Sequence, residues 1–239
     1  MELTVQEKNV FCYTGGKAFD AGLPAVVFIH GAEQDHCVWV LQSRYLAHHG
    51  HAVLALDLPG HGRSEGPPLP SVEAIADWIP ALLDATNVRQ AALIGTAFPM
   101  RVSPELLEAT RSDEALAQDM VNIWSHSAYA HYPSNPGPGF WVIGENLRLM
   151  QRQKPGVMYV DFAACNTYAA GMERAAQVQC PALLVLGKRD VMTPARSGRE
   201  LAKAIKGVRV VEVAGAGHAL MAEKPDEVLD ALIAFLAPS

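Results

Sequence analysis

The chain has 239 residues, half of them hydrophobic, and a formal net charge of −6, with a sequence pI near 5.8. That length supports one sizeable core, and charges of both signs scattered without a Lys or Arg run argue against nucleic acid or an anionic membrane surface as partner. Four cysteines, Cys12, Cys37, Cys165 and Cys180, form no Cys-x-x-Cys pair, which points to isolated thiols in a reducing compartment and a cytoplasmic location. The segment from Met1 to Lys8 lacks a basic stretch followed by an apolar one, and no apolar run approaches the roughly 20 residues of a membrane helix, so neither secretion nor membrane spanning is expected.

Leu3-Thr4-Val5 and Val10-Phe11-Cys12-Tyr13 read as two short antiparallel edge strands closed by Gly15-Gly16. Ala25 to His30 is a continuous apolar strand released by Gly31 into a polar loop, and a helix is expected over Val38 to His48. Ala52 to Leu56 is the next buried strand, ending in the tight turn Asp57-Leu58-Pro59-Gly60-His61-Gly62-Arg63-Ser64. Ser71 opens a helix whose Val72, Ile75, Ile79, Leu82 and Leu83 share one face, kinked but not ended by Pro80.

Ala91-Ala92-Leu93-Ile94, stopped by Gly95 and Pro99, reads as a central parallel strand of one open sheet. Strand signals then vanish from Phe98 to Gln179, where helical patches at Ser103–Ser127, Val142–Gln153 and Phe162–Val178 flank a Pro- and Gly-rich loop at Tyr132–Phe140. Pro181 introduces the strand 182–187, and Ser197-Gly198-Arg199-Glu200 reads as a capping box opening a helix that Gly207 closes. Val208 to Val213 is the last strand, and Pro225 starts a terminal helix burying Val228, Leu229, Leu232, Phe235 and Leu236. The expected architecture is α/β: a mostly parallel sheet with helices on both faces, a core of residues 1–97 and 180–239, and a helical cap, 98–179, inserted in it.

Three strand ends present reactive groups: His30-Gly31-Ala32, Asp190 beyond Gly187, and His218 in the turn Gly215-Ala216-Gly217-His218. With Asp57 to Ser64, Leu186-Gly187-Lys188-Arg189-Asp190 and Glu223-Lys224-Pro225, these segments resemble, in order and along nearly the whole chain, the α/β-hydrolase fold family of esterases and lipases. The resemblance implies a nucleophile, acid and histidine in that chain order, with Asp190 as acid, His218 as base and the backbone at Gly31 and Ala32 as half of an oxyanion hole. Asp57 and His61 read instead as turn residues.

One part of that pattern is missing. The family continues from its central strand into a Gly-x-Ser-x-Gly elbow, whereas this strand ends Gly95-Thr96-Ala97-Phe98-Pro99, and no nucleophile elbow is read with Ser, Cys or Asp at its tip. The shortfall of one elbow, one helix and one strand is roughly 25–30 residues, as if an internal deletion had joined two similar strand ends. Thr96 is the nearest hydroxyl and only a weak nucleophile candidate. Cys37 and Cys165 read as inert, partly buried thiols, and the six histidines of the first third lack metal-ligand spacing, so no metal and no cofactor are expected. The cap aromatics, Trp141 and Tyr159 among them, read mainly as cap core.

The resulting expectation is a hydrolase-family protein acting on carboxylic esters or related acyl compounds, with its Asp-His pair kept and hydrolysis weak or absent for want of a nucleophile. The alternative is a non-catalytic scaffold that binds small molecules or a partner. A lost strand would leave a sheet edge exposed, which favours a homodimer.

Overall fold

A computed structural model of the protein describes residues 1–83, 91–131 and 141–237. In chain order the elements are β1 (Glu2–Val5), β2 (Lys8–Tyr13), β3 (Ala25–Phe28), a 3-10 turn (His36–Trp39) leading into α1 (Val40–His48), β4 (Ala52–Leu56), α2 (Val72–Leu83) and β5 (Ala91–Ile94). The middle of the chain carries α3 (Pro104–Ser112), α4 (Glu114–Ser125), α5 (Val142–Gln151), α6 (Val157–Thr167) and α7 (Gly171–Ala176). The end returns to alternation with β6 (Ala182–Gly187), α8 (Ala195–Ala202), β7 (Arg209–Val213), α9 (Leu220–Glu223) and α10 (Pro225–Leu236). The loop expected at 132–140 lies outside the described residues.

Backbone contacts divide the chain into two compact units, one of Met1–Val88, Val102–Gln118 and Arg148–Thr167, the other of Arg89–Arg101, Asp119–Leu147 and Tyr168–Ser239. The segment expected to form a cap therefore contributes to both.

In the first unit the strands run β1-β2-β4-β3, with β3 and β4 parallel and the remaining pairs antiparallel. Every residue of β4 is buried, as its run of Ala, Val and Leu predicts for a strand covered on both faces. Leu54 and Leu56 pack with Val5, Val10, Cys12 and Trp78, and Ile75, Ile79 and Leu82 of α2 close the cluster. The Ser71 hydroxyl caps α2 by accepting the Ala74 N–H at 3.0 Å, and Pro80 sits inside that helix without ending it.

In the second unit β5-β6-β7 form a parallel sheet in which β6 is central and buried throughout. Leu184 and Leu186 pack against Ala175, Leu201 and Ile205, and α8 and α10 lie on the sheet. On α10, Val228 and Leu232 are fully buried, and Leu229, Phe235 and Leu236 are half-buried.

Four expectations need correction. The single sheet is two hydrogen-bonded sheets of four and three strands, because among the described residues β3 pairs only with β4 and β5 only with β6. The capping box fails: α8 begins two residues before Ser197, since Pro194 is its N-cap and the Pro194 carbonyl already accepts the Ser197 N–H at 2.7 Å. The helix ends at Ala202, well before Gly207. The patches at 103–127 and 162–178 are each two helices; the first breaks at Asp113, whose carboxylate accepts the Leu116 N–H at 3.1 Å and so starts a new helix. Among the described residues no helix is long and apolar enough to cross a membrane.

Leu184 is fully buried in the middle strand, whereas Ile233 of α10 is 37% exposed. Leu184→Ala is expected to lower unfolding free energy by about 2–5 kcal/mol and Ile233→Ala by only about 0.5 kcal/mol, as read from urea denaturation.

Candidate active site

Within the second unit, the carboxyl ends of β5, β6 and β7 converge on His218. Its Nδ1 donates to Asp190 Oδ2 at 2.9 Å, and among the described residues Nε2 has no hydrogen-bond partner. The Asp190 side chain is fully buried and that of His218 is 32% exposed. Burying a carboxylate demands donors, and Asp190 has them: Oδ1 accepts the Met192 and Thr193 N–H groups at 2.9 and 2.7 Å, and Oδ2 accepts the Thr193 hydroxyl at 2.6 Å. The same hydroxyl lies 3.0 Å from both the Gly95 carbonyl and His218 Nδ1, tying the end of β5 to the pair.

The turn carrying His218 is fixed by a second buried carboxylate. Glu223 Oε1 accepts the Gly217 N–H at 2.8 Å, and Oε2 accepts the Ser127 N–H at 3.0 Å and its hydroxyl at 2.5 Å. Gly95 has φ +60°, and a side chain there would crowd Leu220 and the His218 backbone and ring, so glycine is required by both conformation and space. Thr96 follows, half-buried, yet the hydroxyl bonded to the imidazole is that of Thr193. Because that contact is on Nδ1 and on the carboxylate side, Thr193 orients the ring and leaves Nε2 open.

Gly31 and Ala32 belong to the first unit, where the turn after β3 is held from both sides. His30 Nδ1 donates to the Gly31 carbonyl at 2.8 Å, and His30 Nε2 accepts the Leu58 N–H at 2.9 Å. Burial and the nearby His61 push the His30 imidazole down to about 4, in keeping with a neutral ring that both donates and accepts. The Glu33 N–H donates to Asp161 Oδ2 at 2.7 Å, and the same oxygen receives His61 Nε2 at 2.8 Å. Burial works to lower the His61 imidazole, but Asp161 more than offsets it and the net shift is upward. Neither Gly31 N–H nor Ala32 N–H has an acceptor among the described residues.

Asp57 and His61 are turn residues, as read from the sequence. Asp57 Oδ2 accepts the Arg63 N–H at 2.9 Å, while Oδ1 accepts the His36 N–H at 2.8 Å and faces His36 Nδ1 at 2.7 Å.

Comparison with known proteins decides the family. Residues 24–98 match the model described as alpha/beta hydrolase fold, and residues 161–238 match the one described as TAP-like protein. The chain belongs to the α/β-hydrolase fold family. It is 32% identical over 148 residues to epoxide hydrolase 1 of Siraitia grosvenorii, a match covering 60% of this chain and 46% of that relative. The match to the putative protein-lysine deacylase ABHD14B of Pongo abelii is 27% identical and covers 89% of this chain and 82% of the relative. The chain thus matches about half the length of the first relative and most of the second. The enol-lactonase of Burkholderia xenovorans LB400 has the same fold, with a TM-score of 0.83 at 22% identity over 99% of each chain.

One literal Gly-x-Ser-x-Gly in this hydrolase-fold chain escaped the sequence reading: Gly62-Arg63-Ser64-Glu65-Gly66. It is not an elbow. Ser64 is 2% exposed in the turn after β4; its hydroxyl donates to the Asp57 carbonyl at 2.7 Å and accepts the Phe11 N–H at 2.9 Å, so both its capacities serve the backbone. Thr193 was also missed, although Asp190 and Thr193 stand at the three-residue spacing of a side-chain-closed turn. Glu223 was quoted only as part of a motif; its role depends on Ser127, 96 residues away, which no local pattern reveals.

Two predictions follow from the charges. Glu223→Ala orphans buried donors and is expected to cost roughly 3 kcal/mol of stability, measured by urea denaturation. Burial pushes the Glu33 carboxyl up to about 8 against the weaker help of Gln118. His36 is held up at about 9: burial lowers it, but the hydrogen bonds with Asp57 and Cys37 prevail. A raised folded value gives stability that is complete below the unfolded value and lost as pH rises through the folded one. Melting temperature should therefore fall from about pH 6.5 to 9, and Glu33→Gln should flatten the part between about 4.5 and 8; an unchanged profile in that variant contradicts the assignment.

Proposed function

We propose that this protein acts on carboxylic esters or related acyl compounds, with Asp190 orienting His218 and the imidazole Nε2 serving as general base toward water. The observation that carries this reading is the Asp190–Thr193–His218 constellation, whose Nδ1 is committed to the carboxylate at 2.9 Å while Nε2 is left without a partner among the described residues. A neutral imidazole held this way by a carboxylate is the base of the Ser-His-Asp arrangement. The activities by which two relatives are named, epoxide hydrolase and protein-lysine deacylase, are both attacks on an electrophilic carbon next to oxygen or nitrogen, and support a hydrolytic reading.

The chain lacks the serine elbow, so hydrolysis forgoes the covalent intermediate and is slow. Thr96 follows the required Gly95, but no hydrogen bond joins its hydroxyl to His218 among the described residues, and we assign it no nucleophilic role. In the first unit, Gly31 and Ala32 correspond to the family's oxyanion-hole segment by motif. The second reading, a binding scaffold, rests on the same missing elbow and is separated by turnover.

The test is hydrolysis of p-nitrophenyl acetate together with intact mass after a fluorophosphonate probe. Slow turnover is expected, reduced by roughly 10²-fold or more in His218→Ala, with no adduct on the protein. Turnover indifferent to His218→Ala removes the histidine from the mechanism, and an adduct would reveal a covalent nucleophile. Saturable binding of the ester without any turnover would establish the scaffold.

A further inference from the structure

A second His-Asp arrangement lies in the first unit, built by the polar loop that follows β3. His36 Nδ1 is 2.7 Å from Asp57 Oδ1, and His36 Nε2 is 3.4 Å from the Cys37 sulfur. The order is thus thiol, imidazole, carboxylate, with the ring fixed at one nitrogen and facing sulfur with the other. The ring is further held by packing against Phe11 and Tyr13 at centroid distances of 4.9 and 5.9 Å. On another side Arg152 forks onto Asp35, Nε to Oδ2 at 2.7 Å and an Nη to Oδ1 at 2.5 Å. The Cys37 N–H donates to Asp35 Oδ1 at 2.9 Å, which fixes the backbone under the sulfur.

The sulfur thus faces an imidazole that is backed by a carboxylate, the arrangement of a nucleophile beside its proton-transfer partner. Asp57 holds His36 up at about 9 despite burial, so the imidazole carries its proton at neutral pH. Cys37 is half-buried and the His36 side chain is 15% exposed, so a small reagent has access. Burial pushes the Cys165 thiol up to about 11, and Cys12 is completely buried.

Asp35, His36 and Cys37 also bring one ligand atom each within 4.8 Å of one another, the spacing of a cation site. Both Asp35 oxygens are already engaged by Arg152, however, and that guanidinium supplies the positive charge a metal would bring.

We propose that Cys37 is a nucleophilic cysteine activated by His36, a modification site whose partner is a small hydroperoxide. The Cys37 sulfur attacks one peroxide oxygen and an S–O bond forms as the O–O bond breaks. Sulfur is oxidised by two electrons and the peroxide reduced by two; the leaving oxygen takes the proton from His36 Nε2 and departs as water or an alcohol. The product is Cys37 sulfenic acid beside a neutral His36.

The probe is hydrogen peroxide, with dimedone to trap the sulfenic acid and peptide mass spectrometry to read each cysteine. Iodoacetamide gives a second, peroxide-independent rate. Cys37 is expected to be labelled at least tenfold faster than half-buried Cys180 in the same unaltered protein, and His36→Gln to remove that advantage with Arg152→Gln reducing it. Circular dichroism checks folding of both variants; if neither folds, the Cys37 to Cys180 ratio in the unaltered chain decides alone. A ratio near one, or a fast rate that survives in folded His36→Gln, overturns the proposal. A nucleophilic thiol is also acylated by p-nitrophenyl acetate, so ester turnover assigned to His218 is measured in Cys37→Ala.

Discussion

Buried carboxylates hold the turns at the ends of the strands, and the rest of the molecule's chemistry depends on them. A strand of Ala, Val and Leu can be buried at no electrostatic cost, but the chain that leaves it must satisfy backbone N–H groups where little water reaches. Asp57 after β4, Asp190 after β6 and Glu223 beneath the turn after β7 each accept N–H groups from their own or a neighbouring turn. A desolvated carboxylate is costly unless several donors meet it, and removing one donor exposes the cost again. These turns are therefore specified by pairs of residues, one acidic and one supplying donors, and become rigid together.

Histidines recur beside those carboxylates for a related reason. His61 pairs with Asp161, His36 with Asp57 and His218 with Asp190, each through one ring nitrogen. What separates them is the second nitrogen. In His61 it faces the Pro59 carbonyl at 3.1 Å, so the ring is spent on structure. In His36 it faces a sulfur, and in His218 it has no partner among the described residues. Exposure follows the same order, with side-chain values of 3, 15 and 32% for His61, His36 and His218. The same pair, placed at increasing distance from the core, passes from brace to reactive group.

The strands and most helices were legible because their signal is local: β4 and β6 are unbroken apolar runs, and α2 and α10 carry a one-sided stripe. Asp190 and His218 were legible from their order along the chain, since each follows a strand end. The capping box at Ser197 failed because Pro194 had already begun the turn, a backbone effect that outranks a side-chain cap. Thr193 and Glu223 were not legible as parts of the site; one hydroxyl is shared among Gly95, Asp190 and His218, and one carboxylate spans to Ser127. Cys37 was read as an inert thiol, and the His36–Asp57 pair beside it joins residues 21 apart that only folding brings together. The serine pattern at Gly62–Gly66 teaches the converse: a motif means a nucleophile only on a strand-to-helix turn, and this one sits in a turn that consumes the hydroxyl.

The geometry of the Asp190–His218 pair does not depend on a serine elbow, because every described group that orients it belongs to the same unit. Thr193, Gly95, Gly217, Ser127 and Glu223 fix the carboxylate and the imidazole through short bonds that involve no nucleophile. In a full Ser-His-Asp arrangement the histidine is held from the acid side and offers its other nitrogen to the serine. Here the acid side is intact and the offering nitrogen is open. The imidazole is thereby oriented by the same bonds that hold the turns after β6 and β7.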